Sequence, residues 1–193
     1  MKVIALAGSP RKQGNSDILA DKVLEGAREA GAETEKVYLD DMNIRPIGEV
    51  IDKPGERTDP RGDDDYPRIL EQFLDADIVV LATPVYWAGV SAQLKCFIDR
   101  MVCYYDREPY VQRFVGKGYV VVTTFGFDDP DHGKWVTEPI KFCVELLRGE
   151  YLGDLCVSAY QKGKVRDMPE VLQAAFNLGR EAVDKLKRHQ ETC

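Results

Sequence analysis

Short apolar segments alternate with longer amphipathic segments along the whole chain. Residues 3–7 and 78–82 are continuous apolar runs, which are typical of strands buried on both faces of a parallel sheet. Residues 119–124 are rich in β-branched side chains and residues 155–159 form another short apolar run, so each predicts a further strand. Residues 33–39 alternate polar and apolar positions, as expected of a strand nearer an edge. The pattern therefore predicts five strands.

Helical spacing of apolar residues appears between most of these strands. The predicted helices cover residues 15–30, 91–101, 134–147 and 169–187. Strands and helices that alternate in this way predict an α/β fold with a doubly wound parallel sheet, helices on both faces and right-handed connections. We expect one domain over residues 1–193, with any ligand bound at the carboxyl ends of the strands.

One segment does not follow this alternation. Residues 40–67 are rich in Pro, Gly and Asp and include the acidic run Asp63, Asp64 and Asp65. Loops of this length in a domain are usually functional or disordered. The segment is interpreted either as an inserted loop over the ligand site or as a partner contact.

The charge balance argues against a nucleic-acid partner. Acidic side chains number 33 and basic ones 26, a formal net charge of -7, so binding many phosphates would oppose the chain's own field. The first apolar run breaks at Gly8–Pro10, and no apolar stretch approaches ~20 residues. These features predict a protein without a membrane span and a cytoplasmic location. Five dispersed cysteines without a C-x-x-C pair favour neither a disulfide framework nor a metal site.

A loop of small, polar and basic residues joins the first strand to the first helix. It reads Gly8-Ser9-Pro10-Arg11-Lys12-Gln13-Gly14-Asn15-Ser16, and a helix amino terminus with two nearby cations favours a phosphate. Its glycines match neither the P-loop G-x-x-x-x-G-K-[ST] nor the dinucleotide fingerprint G-x-G-x-x-G. From these residues alone, a phosphate cradle and a solvated strand-to-helix turn both remain open.

Two later loops also follow predicted strands. The segment 83–91 carries adjacent aromatics, Tyr86 and Trp87. They would contact a flat ring, plug the sheet end or pack against a second subunit. In the helix after it, Lys95 and Asp99 are one turn apart and predict a local ion pair without a catalytic role. After the fourth strand, His132 lies in an acidic stretch and is interpreted as a solvated turn residue.

The first two loops together resemble a known family. The patterns G-S-P-R-x-x-G-N-S and T-P-V-Y-W-x-G-x-S-A-x-L-K-x-F-I-D-R are similar to those of the NADPH-dependent FMN reductase and iron-sulfur flavoprotein group of flavodoxin-like proteins. The resemblance implies bound FMN, a five-stranded sheet of order 2-1-3-4-5, and a homodimer or higher homo-oligomer. It implies phosphate contacts from Ser9, Arg11, Asn15 and Ser16. It implies ring contacts from Thr83, Pro84, Val85, Tyr86 and Trp87, with Thr124 and Gly126 also reaching the ring.

The chain departs from the iron-sulfur members of that group, because residues 40–67 contain no cysteine to hold a cluster. The expected function is therefore a cluster-less oxidoreductase that passes electrons from NADPH or NADH through FMN to a quinone, a flavin or another small acceptor. The chemistry would be centred on the flavin, without a catalytic side chain. The alternatives are a flavodoxin-type electron carrier that does not oxidise a nicotinamide, and a scaffold or sensor with structural FMN.

Overall fold

All five predicted strands are present and pair into one parallel sheet. The computed structural model describes residues 1–49 and 58–192. The strands are β1 (Lys2–Ala7), β2 (Glu33–Tyr38), β3 (Ile78–Pro84), β4 (Gly118–Phe125) and β5 (Glu150–Ser158). Their spatial order is β2-β1-β3-β4-β5, the flavodoxin-like arrangement, which confirms the expected order.

Helices cover both faces of this sheet. They are α1 (Asn15–Glu29), α2 (Tyr66–Asp75), α3 (Ala92–Arg100), α4 (Val111–Phe114), α5 (Lys134–Leu146) and α6 (Pro169–Thr192). One apolar cluster joins the sheet to α2, α3 and α5, and a second joins it to α1 and α6. None of the described helices is long and apolar enough to cross a membrane.

Two elements differ from the sequence predictions. Helix α2 was not predicted, and the predicted loop 40–67 overlaps its start. Pro67 lies in the first turn of α2, where a proline sacrifices no helical hydrogen bond. Strand β5 begins at Glu150 rather than Leu155. Its first half carries polar residues because it is an edge strand, and an irregularity in its pairing opposite Tyr119 and Val120 breaks the alternation.

Helices α1 and α6 are in backbone contact. A Cβ atom at Gly179 would lie 1.9 Å from the carbonyl oxygen of Val23, and one at Gly26 would lie 1.9 Å from that of Phe176. The two glycines therefore allow an approach that side chains would prevent. This contact packs the second half of α1 against α6.

The described part of the long loop packs mainly on α3. Asp59 and Asp64 both bind the Arg100 guanidinium, which is fully buried. The beginning of the loop touches the first strand-to-helix loop, where the Lys12 ammonium lies 2.6 Å from Asp41. Residues 50–57 of the predicted inserted loop lie outside the described residues.

Candidate functional site

A cleft of about 300 Å³ lies where the carboxyl ends of β1, β3, β4 and β5 meet. We call it the main cleft. Its lining consists of Ser9, Arg11, Gly14, Asn15, Ser16, Pro84, Val85, Tyr86, Thr124, Phe125, Gly126, Phe127, Ala159, Tyr160 and Lys162. Nine of the eleven predicted site residues are among them, and the exceptions are Thr83 and Trp87. No residue from the described part of the long loop contributes to this lining. Of the two interpretations of that loop, a cover over the site therefore gains no support from its described residues.

One end of the main cleft is electropositive. The first intrahelical bond of α1 runs from Ile18 N–H to the Gly14 carbonyl at 3.0 Å, so the N–H groups of residues 15–17 have no acceptor among the described residues. The side chains of Arg11 and Lys162 line the same end. Within the described part of the chain, neither has a carboxylate partner. Free N–H groups, a helix dipole and two cations together suit a phosphate.

The loop that forms this end is a tight turn. The Gly14 N–H donates to the Arg11 carbonyl at 2.9 Å, and Gln13 has a positive φ of 59°. A Cβ atom at Gly14 would come within 2.7 Å of the Arg11 carbonyl oxygen. The glycine is therefore required for the turn that presents Arg11 to the cleft.

Asp17 lies in the first turn of α1 and would repel a phosphate if its charge were uncompensated. Its carboxylate accepts hydrogen bonds from the Gln13 N–H at 2.6 Å and from the Lys36 ammonium at 2.8 Å. Burial by itself lowers the pKa of Lys36, but hydrogen bonds to Asp17 and Asp21 raise that pKa above its ordinary value. Lys36 therefore stays protonated and neutralises Asp17.

The Asn15 side chain is fully used within the protein. Its Nδ2 donates to the carbonyls of Ala159 and Gln161, both at 2.8 Å, and its Oδ1 accepts from the Val165 N–H at 3.3 Å. These bonds use both donor hydrogens of the side-chain amide, so the predicted phosphate contact from Asn15 would come from its backbone N–H. These bonds fix the loop after β5, which carries Lys162.

The second predicted loop divides between the cleft and its support. The Thr83 side chain is buried, accepts from the Ser91 N–H at 3.0 Å and donates to the Pro84 carbonyl at 2.9 Å. These bonds shape the loop, and Thr83 does not line the main cleft. Pro84, Val85 and Tyr86 line the cleft as predicted.

Trp87 lies at the tip of a tight hairpin. Tyr86 and Gly89 exchange backbone hydrogen bonds of 2.9 and 3.1 Å, and Trp87 and Ala88 have positive φ angles of 47° and 58°. Positive φ at both central positions defines a type I′ turn, which non-glycine residues adopt at a cost. The Trp87 side chain is fully exposed and lines a second cleft.

The loop after β5 was missed by sequence reasoning. Tyr160 lies against Gly126, where an added Cβ atom would be 2.7 Å from the tyrosine ring. Lys162 supplies the second cation of the phosphate end. The rule that ligands bind at the carboxyl ends of parallel strands applies to β5 as well as to the strands before it. Applied there, it would have indicated residues 159–162.

A second cleft of about 440 Å³ opens beside the first. We call it the aromatic cleft. It is lined by Val85, Trp87, Ala88, Phe125, Gly126, Phe127, His132 and Trp135. The His132 ring stacks on Phe127 at a centroid distance of 4.9 Å and meets Trp135 edge-on at 4.5 Å. His132 lies in a short turn as predicted, and aromatic side chains contact its partly exposed ring.

Comparison with known proteins agrees with this fold. The solved structure of the Trp repressor binding protein from Bacillus subtilis superposes with a TM-score of 0.68 at 25% identity, and the match covers 92% of this chain and 98% of that chain. The model of the NADPH-dependent FMN reductase family matches residues 1–132. The chain belongs to this family of flavodoxin-like proteins.

Two relatives match about half of the chain. A putative NAD(P)H-dependent FMN-containing oxidoreductase from Bacillus subtilis is 38% identical over 100 residues, which cover 52% of this chain and 51% of the relative. An iron-sulfur flavoprotein from Methanocaldococcus jannaschii is 43% identical over 101 residues, again 52% and 51%. The chain thus spans about half the length of the curated relatives it matches.

Proposed function

We propose that this chain is an NAD(P)H-dependent FMN oxidoreductase, which passes electrons from NADPH or NADH through FMN to a quinone, a flavin or another small acceptor. Membership of the FMN reductase family supports this proposal. So does the similarity to a protein named as an NAD(P)H-dependent FMN-containing oxidoreductase.

The observation that carries the proposal is the polarity of the main cleft. One end offers Arg11, Lys162 and the unpaired N–H groups of α1, and the other is bounded by the loops after β3 and β4. FMN has the same polarity, with a charged phosphate at one end and a flat ring at the other. The chain's residues therefore fit this cofactor.

Within this site the protein's task is binding and orientation. Ser9 and Ser16 would hold the phosphate together with the two cations, while Pro84, Val85 and Tyr86 on one side and Thr124 to Phe127 on the other would hold the ring. FMN, when bound, supplies the hydride-accepting centre. Positioning of this kind requires no nucleophile, so we assign no catalytic side chain.

We also infer a homo-oligomer, most simply a homodimer. Four exposed apolar residues lie along one face of α5, namely Trp135, Pro139, Phe142 and Leu146. Their helical spacing forms a stripe, and a second copy would cover it in an isologous contact. Light scattering on the wild type and on Phe142→Glu tests this: a dimer that becomes a monomer in the variant supports it, and a monomeric wild type contradicts it.

Flavin binding and reduction test the main proposal. The purified chain is titrated with FMN, and the flavin absorption band is followed anaerobically after NADPH or NADH is added. Bleaching supports the oxidoreductase and identifies its donor. Tight binding without bleaching favours the electron carrier or scaffold, and no binding overturns the assignment of FMN.

A matched pair of cation variants tests the phosphate end. Loss of one charged hydrogen bond costs about 1.5–3 kcal/mol, so we expect Arg11→Met to weaken FMN binding by about 10- to 100-fold. Lys12 is the adjacent cation, but it is paired with Asp41 and does not line the main cleft, so Lys12→Met should have little effect. Riboflavin lacks the phosphate, and its affinity should be equal in both variants. Equal loss of FMN affinity in both variants would contradict the assigned role of Arg11.

A further inference from the structure

Asp17 is a buried carboxylate that lies beside the phosphate end of the main cleft without lining it. It is the third residue of α1 and is 1% exposed. Burying a carboxylate is costly unless charged or hydrogen-bonding partners compensate it. An acidic residue in the first turn stabilises a helix through its dipole, but this effect requires neither burial nor a place beside an anion site. The burial of Asp17 therefore indicates a more specific task, which its partners define.

The first partner of Asp17 is the backbone of residues 8–14, which join β1 to α1 and which we call the phosphate loop. Asp17 Oδ2 accepts from the Gln13 N–H at 2.6 Å. In a capping box, the residue at this helical position reaches back to the N–H of the N-cap; Asp17 reaches one residue further, past the N-cap Gly14. Gln13 has a positive φ of 59°, which non-glycine residues adopt at a cost. The carboxylate therefore holds the turn that presents Arg11 to the cleft.

Gln13 also connects the phosphate loop to the loop after β5. Its side-chain Oε1 accepts from the Arg166 guanidinium at 2.6 Å. Arg166 follows Lys162 in the segment between β5 and α6. The two cations of the phosphate end, Arg11 and Lys162, thus lie on segments that meet at Gln13. A hydrogen bond that fixes Gln13 therefore acts on both sides of the anion site.

Strand β2 supplies the charge that balances Asp17. Lys36 and Tyr38 are two residues apart on β2, so their side chains lie on the same face of the sheet. The Lys36 ammonium lies 2.8 Å from Asp17 Oδ1, and the Tyr38 hydroxyl donates to Oδ2 at 3.3 Å. The Lys36 side chain is 14% exposed and that of Asp17 is 1% exposed, so salt screens their attraction only weakly.

The same lysine has a second acidic partner, Asp21, one turn further along α1. The Lys36 ammonium lies 2.5 Å from its carboxylate, and the Asp21 side chain is 45% exposed. This pair would be enough to connect β2 to α1. The connection between the two elements therefore does not explain why another carboxylate, Asp17, is buried beside an anion site.

We propose that Asp17 is a positioning residue for phosphate binding: its carboxylate fixes Gln13 and with it the phosphate loop, while Lys36 neutralises the carboxylate so that it does not repel the phosphate of FMN. This inference rests on the proposed function for the identity of the ligand. It gives a role in phosphate binding to β2, a strand that contributes no residue to the lining of the main cleft.

Three variants separate the charge of Asp17 from its hydrogen bond to Gln13. Lys36→Met leaves the carboxylate without its ammonium and should weaken FMN binding by about tenfold. Adding Asp17→Asn removes that charge but keeps an oxygen that can accept from the Gln13 N–H, so FMN affinity should return to within about threefold of the wild type. Adding Asp17→Ala instead removes the acceptor, and this double variant should bind FMN about fivefold more weakly than the Asn double variant.

Riboflavin and Asp21 provide the controls. Riboflavin lacks the phosphate, so its affinity should be the same in the wild type and in every variant, and its binding shows that the cleft is folded. Lys36→Met combined with Asp21→Asn has the same net charge as the Asn double variant at Asp17, but it keeps the Asp17 carboxylate. FMN binding in this control should therefore stay within about threefold of the weak binding in Lys36→Met.

Recovery of FMN affinity by Asp17→Asn but not by Asp21→Asn supports the proposal. Equal recovery in both would mean that only net charge matters, and would overturn the role of Asp17. Equal affinities of the Asn and Ala double variants would overturn the positioning of Gln13, and parallel losses of FMN and riboflavin would make the role of Asp17 purely structural. If the Ala double variant does not fold, the comparison of the two Asn double variants still decides.

The binding measurements use no nicotinamide, which separates this inference from the proposed function. FMN that binds but is not reduced contradicts the proposed function alone. If FMN does not bind, inorganic phosphate is titrated into the full chain and the amide chemical shifts of residues 15–17 are followed by NMR. A saturable response that is weakened in Lys36→Met and restored by Asp17→Asn would then support the inference, and the absence of any response in the wild type would overturn it.

Discussion

Replacing Arg100 should destabilise the protein more than replacing any exposed cation. Its guanidinium is fully buried and donates to Asp64 at 2.5 Å, to Asp59 at 2.6 Å and to the Arg61 carbonyl at 2.9 Å. It also lies 4.1 Å from the centroid of the Tyr66 ring. Arg100→Met would leave two buried carboxylates without this cation. Breaking a buried ion pair in this way costs about 3–5 kcal/mol.

The assay is urea unfolding followed by circular dichroism, with Lys95→Met as the matched control. Lys95 lies on the same helix and pairs with Asp99, as the sequence predicted, but both side chains are partly exposed. Such a pair contributes about 0–1 kcal/mol. For a protein of this size, the Arg100 variant should also melt about 10 °C below the wild type. If both variants lose less than about 1 kcal/mol, the buried cluster does not depend on its cation and the reasoning is refuted.

The acidic partner gives the same prediction a pH dependence. Burial by itself raises the pKa of Asp64, but Arg100 and the backbone N–H groups of Arg45 and Tyr66 lower that pKa below its ordinary value. A carboxyl whose pKa is lower in the folded state stabilises the protein above its unfolded pKa, near 4, and loses this contribution as the pH falls through the folded value. The stability difference between the wild type and Asp64→Asn should therefore shrink as the pH falls below about 4. A difference that grows instead would contradict the assigned charge state.

Three further predictions concern other parts of the fold. Gly179→Ala should lower the free energy of unfolding by about 1–3 kcal/mol because its methyl group would meet the Val23 carbonyl. The control Gly31→Ala has open space around its Cβ position but a positive φ of 85°, and it should cost about 1 kcal/mol. Equal losses of stability in the two variants would contradict the close contact between α1 and α6. Burial lowers the pKa of Lys117 to about 8, so the unfolded chain binds more protons than the folded chain between that pH and the ordinary lysine value. The stability of the wild type relative to Lys117→Met should therefore rise by about 2 kcal/mol between pH 7 and 9.5. Urea unfolding at several pH values measures this difference, and a difference that does not change with pH would refute the pKa shift. Asn15→Ala should lower the free energy of unfolding by about 2 kcal/mol. It should also weaken FMN binding, because the substitution releases the loop that carries Lys162. Unchanged FMN affinity would contradict a positioning role for Asn15.

The sequence by itself determined the order and type of the main elements. Apolar runs such as 3–7 and 78–82 can be buried on both faces only within a covered parallel sheet, so their alternation with helical segments fixes the class of fold. Local features, a helix start and paired aromatics, drew attention to the loops after β1 and β3, but their assignment as phosphate and ring contacts came from the resemblance to a known family. Nine of the residues predicted from these loops and from the loop after β4 do line the main cleft.

Tertiary structure alone decided which side chains face the ligand space. Asn15 and Thr83 were predicted as contacts, yet both are fully used by backbone partners. The partners of Asn15 lie 144 and 146 residues away in sequence. Lys162 lines the same cleft although it lies far from the other lining residues in sequence. Arg100 pairs with Asp59 and Asp64, which lie in a loop with no periodic pattern. Local sequence patterns record which element a residue belongs to, whereas hydrogen-bond partners and cleft walls depend on which distant segments the sheet order brings together.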